Sequence, residues 1–367
     1  MRLKTKYAFT VNKYDIQHNS NIGKYSKKVE QIITKYEQKI VQAVKRAGIT
    51  TDDGFKFSDY PALKRECDKL IRQMQAEIKV TIETGERTEW ERSNGKNDEL
   101  VEAVVKSASV AKELGYMQRN VSALEAFMQR KVSGLNLSER VWNIADQFKG
   151  QIEVAIDTAL REHKSADELS RDVRQYLKYP DKLFRRVRDE NGVLQLSKNA
   201  KAFHPGRGVY RSSYMNARRL AGTEINMAYR TSDFTRRNQL DFIVGIEVHL
   251  SNNHNCKGIP NGQFYDICDE IQGKYPKTFK FVGWHPNCRC YTTTILKTDE
   301  EIMQDLKRRK QGKPPVKSVN EVNDVPEGFK NWVADNQERI ASAKSLPYFL
   351  KDNGHMEDGE WVMNEDI

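Results

Sequence analysis

The chain reads as an α+β protein: a helical N-terminal region, a mixed α/β core with a small Cys/His-rich loop unit, and an extended C-terminal tail. Three observations predict this. Apolar residues recur at three- and four-residue steps through much of the first 160 positions, the period of helices that bury one face. Two runs, Phe242–Leu250 and Tyr291–Leu296, carry the alternation and β-branched content of strands. Between those strands lie four of the five cysteines, packed into the 35 residues from Cys256 to Cys290.

Taken in order, residues 1–24 show no period and read as an extended or loosely packed arm. From Tyr25 to Ala47 the residues Val29, Ile32, Ile33, Tyr36, Ile40 and Val44 mark an amphipathic helix that Gly48 stops. A second helix starts near Ser58-Asp59, with Pro61 in its first turn, and runs through Leu63, Cys67, Leu70, Met74 and Ile78. Further helices are predicted at about 97–116 and 120–131. Ser138 caps the next, whose face is Val141, Ile144, Phe148, Ile152 and Ile156. Ser165-Ala166-Asp167-Glu168 caps another, ending before Pro180, and residues 181–211 read as irregular or short-strand structure with turns at Asn191-Gly192 and His204-Pro205-Gly206. After Lys297 come a charged helix, a linker at Lys310–Pro315 and one more helix, about Pro326 to Ala343. The segment Leu346-Pro347-Tyr348-Phe349-Leu350 behind that linker reads as a docking peptide. Three consecutive parts follow: 1–135 helical, 136–297 core, 298–367 linker and tail.

Bulk properties narrow the class. The chain has 367 residues, 31% of them charged, and no apolar run approaches the roughly 20 residues of a membrane span. No apolar stretch follows the basic start, so no secretory signal is expected, and a reducing cytoplasm is the default site of synthesis. The net charge of +10 is local: residues 171–240 hold 16 Lys/Arg against 6 Asp/Glu, and the rest of the chain balances. Such a confined excess suits a polyanion-facing surface, with solvated helix faces as the plainer reading.

Within that segment, residues 212–240 form a helix with Tyr214, Ala217, Ala221, Ile225, Ala228 and Tyr229 on one side. Arg219, Thr223, Asn226, Arg230 and Arg237 gather on the other. Guanidiniums spaced by small polar side chains suit phosphate contacts, and Arg207 and Arg211 add to them just upstream. The DNA-binding candidates are therefore Arg207, Arg211, Arg219, Arg230 and Arg237; arginines paired to acidic partners are the alternative. Glu224 falls on the apolar side, so its carboxylate calls for a buried ion pair, with an arginine from another segment as partner.

The cysteine cluster offers Cys256, Cys268, His285, Cys288 and Cys290 as metal ligands, with His254 close by. Thiolates and imidazoles in this density suit a soft tetrahedral cation, zinc first. Disulfides and free buried thiols are the other two readings. A metal here reads as structural, since the chain has no His-Glu-x-x-His and no deaminase-type His-x-Glu with Pro-Cys-x-x-Cys. Phosphate-cradling Gly-x-x-x-x-Gly-Lys and Gly-x-Gly-x-x-Gly loops are absent too.

The run Arg-Arg-Leu-Ala-Gly-Thr-Glu-Ile-Asn-Met-Ala-Tyr at 218–229, a strand, a cysteine-bearing loop and the closing Gly-Trp-His-Pro-Asn-Cys-Arg-Cys at 283–290 resemble the phage Mu F-like head morphogenesis family. The likeness runs from about Leu137 to Leu296. It implies a non-enzymatic minor head protein of a tailed phage or prophage, carried in the virion head near the portal. Such a protein would act in head assembly and in DNA packaging or delivery, with portal, capsid or scaffold proteins and non-specifically bound DNA as its partners. The competing class is a phage-borne effector enzyme, a nuclease or an ADP-ribosyltransferase, since some relatives carry a toxin domain after this module.

Overall fold

Helical periodicity dominates the observed architecture as it does the sequence. The computed structural model describes residues 13–49, 54–161, 166–179, 187–188, 194–195, 210, 212–251, 266–309, 311–365 and 367. The helices α1 (Lys13–Arg46), α2 (Pro61–Val105), α3 (Ala108–Glu113), α4 (Val121–Gln129), α5 (Leu137–Arg161) and α6 (Ala166–Lys178) lead to a minimal hairpin, β1 (Val187–Arg188) and β2 (Leu194–Gln195). Then come α7 (Ser213–Asn238), β3 (Ile243–His249), α8 (Ile267–Glu270), β4 (Gly273–Tyr275), β5 (Tyr291–Leu296) and α9 (Asp299–Arg309). The chain continues with α10 (Glu327–Asp335), α11 (Gln337–Ala341), α12 (Tyr348–Lys351) and the hairpin β6 (Gly354–Glu357) and β7 (Glu360–Met363). The α+β class is correct, with strands β3 and β5 where alternation puts them.

The chain divides into two units that do not follow the three consecutive segments expected. A helical unit takes Ile22–Gly85 and Met128–Glu224; a sheet unit takes Met1–Asn21, Glu86–Phe127 and Ile225–Ile367. The physical reason is continuity: α1, α2 and α7 each run through a unit boundary without a break.

In the helical unit, Ile33, Ile40 and Val44 of α1 are buried, as are Met74 and Ile78 of α2 and Val141, Phe148 and Ile152 of α5. Polar ties fix the helix register. Tyr36 Oη and Lys35 Nζ bond Glu77 at 2.7 Å, and the backbone N–H groups of Phe55 and Phe57 donate to Asp157 and Glu153 on α5.

In the sheet unit, β3 lies between β4 and β5, antiparallel to both, with Ile246 opposite Tyr275 and Thr294. Gly245 sits at the register shift; a Cβ there would lie 2.6 Å from Val322, so only glycine lets the segment after α9 cross. The C-terminal residues do not form the extended tail their composition suggests. Val325, Phe329, Val333, Ile340, Phe349, Leu350 and Trp361 are buried in one core with Ile246, Tyr275, Phe279, Trp284 and Cys288. Asn353, with no exposed surface, accepts from Lys280 N at 2.6 Å and donates to Lys280 O and Phe349 O. The supposed docking peptide, Leu346–Leu350, is therefore mostly core: Phe349 and Leu350 are buried because the aromatic cluster around Trp284 needs their surface.

Two helical boundaries also differ. The described part of the arm, from Lys13, is helix, and α2 continues unbroken to Val105 where separate helices were expected. In both places much of the buried face is polar. Asp15 and His18 on α1, and Glu86, Glu89, Ser93, Asn94 and Asn97 on α2, are all buried. Hydrophobic periodicity is silent about such a face.

Candidate metal centre

The His285-Pro286-Asn287-Cys288 run folds as a turn closed by Cys288 N–H donating to His285 O at 3.0 Å. Proline at the second position sets φ, and Asn287 at the third takes the left-handed conformation, φ +62°. This is type II turn chemistry, and it brings the first and fourth side chains onto one side. Beyond it, Cys288 and Cys290 flank one residue of the chain leading into β5. The remaining sulfur arrives from α8, where Asp266 caps the helix and accepts from Cys268 N at 2.8 Å.

Cys268 Sγ lies 3.2 Å from His285 Nε2 and 3.9 Å from Cys288 Sγ, while Cys290 lies outside the three-donor group. A tetrahedral zinc with bonds of about 2.3 Å to sulfur requires sulfurs about 3.7 Å apart, close to the spacing present. Cys268, His285 and Cys288 could hold a metal ion: their donor atoms all fall within 4.8 Å of one another. His285 Nδ1 faces Pro286 O at 2.9 Å, which keeps its proton there and leaves the Nε2 lone pair toward the sulfurs, the usual support of a metal-binding histidine. Asp266 Oδ2, 3.4 Å from the same Nε2, is the competing contact. The three cysteines are almost wholly buried and His285 is partly exposed.

Electrostatics within the cluster are uneven. Hydrogen bonds from Cys268 and Cys290, the nearby Arg230 charge and the Trp284 backbone N–H all hold the Cys288 thiol well below its usual range, against burial. Hydrogen bonding to Cys288 and Cys290, with burial, pushes Cys268 up. Cys290 is drawn down by Cys268 but pushed up by Cys288 and by burial, to about 12. Cys288 is thus the thiol most disposed to ionise, and binding a cation would draw protons from its neighbours too.

The support comes from α7. Asn226 Nδ2 donates to Cys288 O at 3.0 Å, and Arg230 Nη2 donates to both Cys288 O and Cys290 O. Asn226 Oδ1 faces His18 Nε2 at 3.0 Å, while His18 Nδ1 meets Glu89 Oε2 at 2.8 Å and its ring stacks on Tyr229. Burial pulls the His18 imidazole down and Glu89 pulls it back. Sequence reasoning missed His18, Glu89 and the bracing role of Asn226, because none carries a metal-ligand or phosphate-binding pattern. The one available signal was that Asn226 and Arg230 share a helix face.

The other expected sites fare differently. Cys256, Arg207 and Arg211 lie outside the described residues. Arg230 and Arg237 do not face phosphate: they are 8% and 1% exposed, and Arg237 donates to Lys277 O and Phe279 O. Their forks satisfy loop carbonyls that no strand or helix reaches, which is why they are buried. In the helical unit, Arg219 lies over the Tyr210 ring with its guanidinium carbon 5.2 Å from the centroid. Glu224, 2% exposed, receives Arg140 Nη1 at 2.7 Å, Arg140 Nη2 at 2.8 Å and Arg130 Nη2 at 2.8 Å. Its partners are two arginines from α5 and the segment before it.

Among the described residues, no helix is long and apolar enough to cross a membrane. Set against protein-family models, curated proteins and solved structures, the chain matches none.

Proposed function

We propose that this chain is a non-enzymatic minor head protein of a tailed phage or prophage, working in head assembly and in DNA packaging or delivery. One observation carries the reading. The two sequence motifs behind the head-morphogenesis resemblance, 218–229 and 283–290, are joined by side chain: Asn226 bonds the carbonyl of Cys288. Motifs that brace one another behave as a single module and not as two chance likenesses. Glu224, the carboxylate an effector enzyme would draw on, has both oxygens engaged by arginines and so is poorly placed for acid–base work. In this reading the metal is zinc, held by Cys268, His285, Cys288 and Cys290 as a structural centre. DNA contact falls to Arg207, Arg211 and Arg219, and portal, capsid or scaffold proteins are the partners.

Particles purified from cells expressing the chain at its native locus should contain it, in few copies, and deleting its gene should lower the yield of infectious heads. Absence from the particles sinks the proposal, as does cleavage of nucleic acid or consumption of a dinucleotide by the purified chain that Glu224→Gln abolishes. Elemental analysis of protein purified under reduction should return about one zinc per chain, the stoichiometry of a four-ligand structural site.

A further inference from the structure

Arg230 carries a full positive charge into the interior without a carboxylate to meet it. It is 8% exposed, and among the described residues no Asp or Glu lies within ion-pair distance of its guanidinium. Its Nη2 atom is occupied by the carbonyls of Cys288 and Cys290. Its Nη1 atom is buried and has no hydrogen-bond partner among the described residues. The carbonyls supply dipoles, not charge, and the Phe281 ring, 4.8 Å from the guanidinium carbon, supplies only a quadrupole. Neighbouring charge makes matters worse, because Arg289 is largely buried and lies close enough to repel it. Such a placement is expensive unless something anionic stands beside it.

What stands beside it is the Cys288 side chain. Gly283, at φ +111°, is the spacer: a Cβ there would lie 2.8 Å from Arg230 Nη1 and 3.1 Å from Cys288 Cβ. Glycine therefore brings the unpartnered Nη1 and the cysteine against one another. A neutral imidazole and three thiolates around a divalent cation carry a net charge of −1, which one buried guanidinium balances; two thiolates would leave the centre neutral and Arg230 still uncompensated.

We infer that Arg230 is the built-in counter-cation of a tris-thiolate centre, so that the site takes a soft divalent cation through Cys268, Cys288 and Cys290 as thiolates with His285 as the neutral fourth ligand. This rests on the metal reading above and adds its charge state, its fourth ligand and the residue that sets its affinity. Arg230 touches no metal; it acts through Cys288 as a positioning and charge-balancing residue.

The test uses full-length protein loaded with Co(II) and then titrated with zinc against a chromophoric chelator. Wild type should show a thiolate-to-cobalt charge-transfer band with the intensity of three thiolates. Arg230→Met should weaken zinc binding by about tenfold or more, the range of outer-shell losses at metal sites. Arg230→Lys, which keeps the charge but not the fork, should recover most of that loss. Asn226→Ala removes a bond to the same Cys288 carbonyl without touching charge, so its loss should be clearly smaller than that of Arg230→Met. Equal zinc affinity in Arg230→Met, or an Asn226→Ala loss as large as the Arg230→Met loss, would leave Arg230 as a staple for carbonyls and overturn the inference. Failure of wild type to take up cobalt or zinc is a different result: it removes the metal reading itself. A two-thiolate band with an unchanged Arg230→Met affinity keeps the metal and discards the counter-cation.

Discussion

The Glu224 carboxylate of the helical unit and the Arg230 and Arg237 guanidiniums of the sheet unit are answered in opposite ways, although the sheet unit also pairs charge with charge where the buried Arg236 meets Asp98 at 2.8 Å. In the helical unit, Glu224 is met by charge, three hydrogen bonds from two guanidiniums. In the sheet unit, Arg230 and Arg237 are met chiefly by peptide carbonyls, and the nearest carboxylate to Arg237, Asp233, is 3.9 Å away. The difference follows from what surrounds them. Helices satisfy their own backbone, so a charge between helices finds only side chains to pair with. The stretch from Lys277 to Cys290 has little regular structure, so its carbonyls need donors, and a planar fork can bridge two of them at once.

The largest effect expected from breaking this contrast lies in the helical unit. Glu224→Gln preserves shape but leaves Arg130 and Arg140 without an anion, and should cost about 3–5 kcal/mol in denaturant unfolding. A midpoint unmoved by the substitution would mean that the pair contributes nothing and that Glu224 and the two arginines do not differ as described.

The next concerns the poorly met charge of that same unit. Glu37 has no exposed surface, one of its oxygens is unpartnered among the described residues, and Arg174 stands 3.5 Å from the other. Burial pushes its carboxyl up to about 7, with Arg174 offsetting only part. The folded state therefore holds a proton that the unfolded chain releases near the ordinary glutamate value. Stability is highest below about pH 4.5 as far as this group is concerned, and is lost as pH rises toward 7, by an amount on the order of 3 kcal/mol. Glu37→Gln should flatten that slope; a stability–pH curve identical to wild type between pH 4.5 and 7 rules out the assignment.

The smallest effect sharpens the other side of the comparison. Arg237→Gln strips donors from Lys277 O and Phe279 O and should cost about 1–3 kcal/mol. Arg237→Lys should fare little better, because an ammonium cannot span both carbonyls. Full rescue by lysine would show that charge, and not the fork, is what the loop requires.

How far the sequence disclosed this depends on which face of each element is apolar. Ile32, Ile33, Tyr36 and Ile40 announce α1, and the Thr292-Thr293-Thr294-Ile295 run announces β5, because both write their burial in hydrophobic period. The second half of α2 is as deeply buried but largely through Glu89, Ser93 and Asn97, with Trp90 and Val101 too sparse to mark a period, and the start of α1 through Asp15 and His18, so both passed for loop or for separate helices. The cysteine knuckle was legible by residue type, and its turn by Pro286-Asn287. Its bracing by Arg230 was not, since an arginine that caps carbonyls and one that grips phosphate look alike on a helical wheel. The C-terminal region misled through its Lys310–Pro315 composition, which describes the connection and says nothing of Phe329, Phe349 and Trp361 beyond it.

The type II turn at His285–Cys288 also has a bearing on the order in which this part of the molecule assembles. In the metal centre proposed above, His285, Cys288 and Cys290 sit within six residues and could be gathered around a cation by a fast local closure before any sheet exists. Cys268 must come from the far side of β4, and its capture closes a loop that carries Tyr275, Phe279 and Phe281 into place. A cation held early by three ligands would then act as a folding nucleus, and its off-rate before Cys268 arrives would set how often the sheet unit has to begin again.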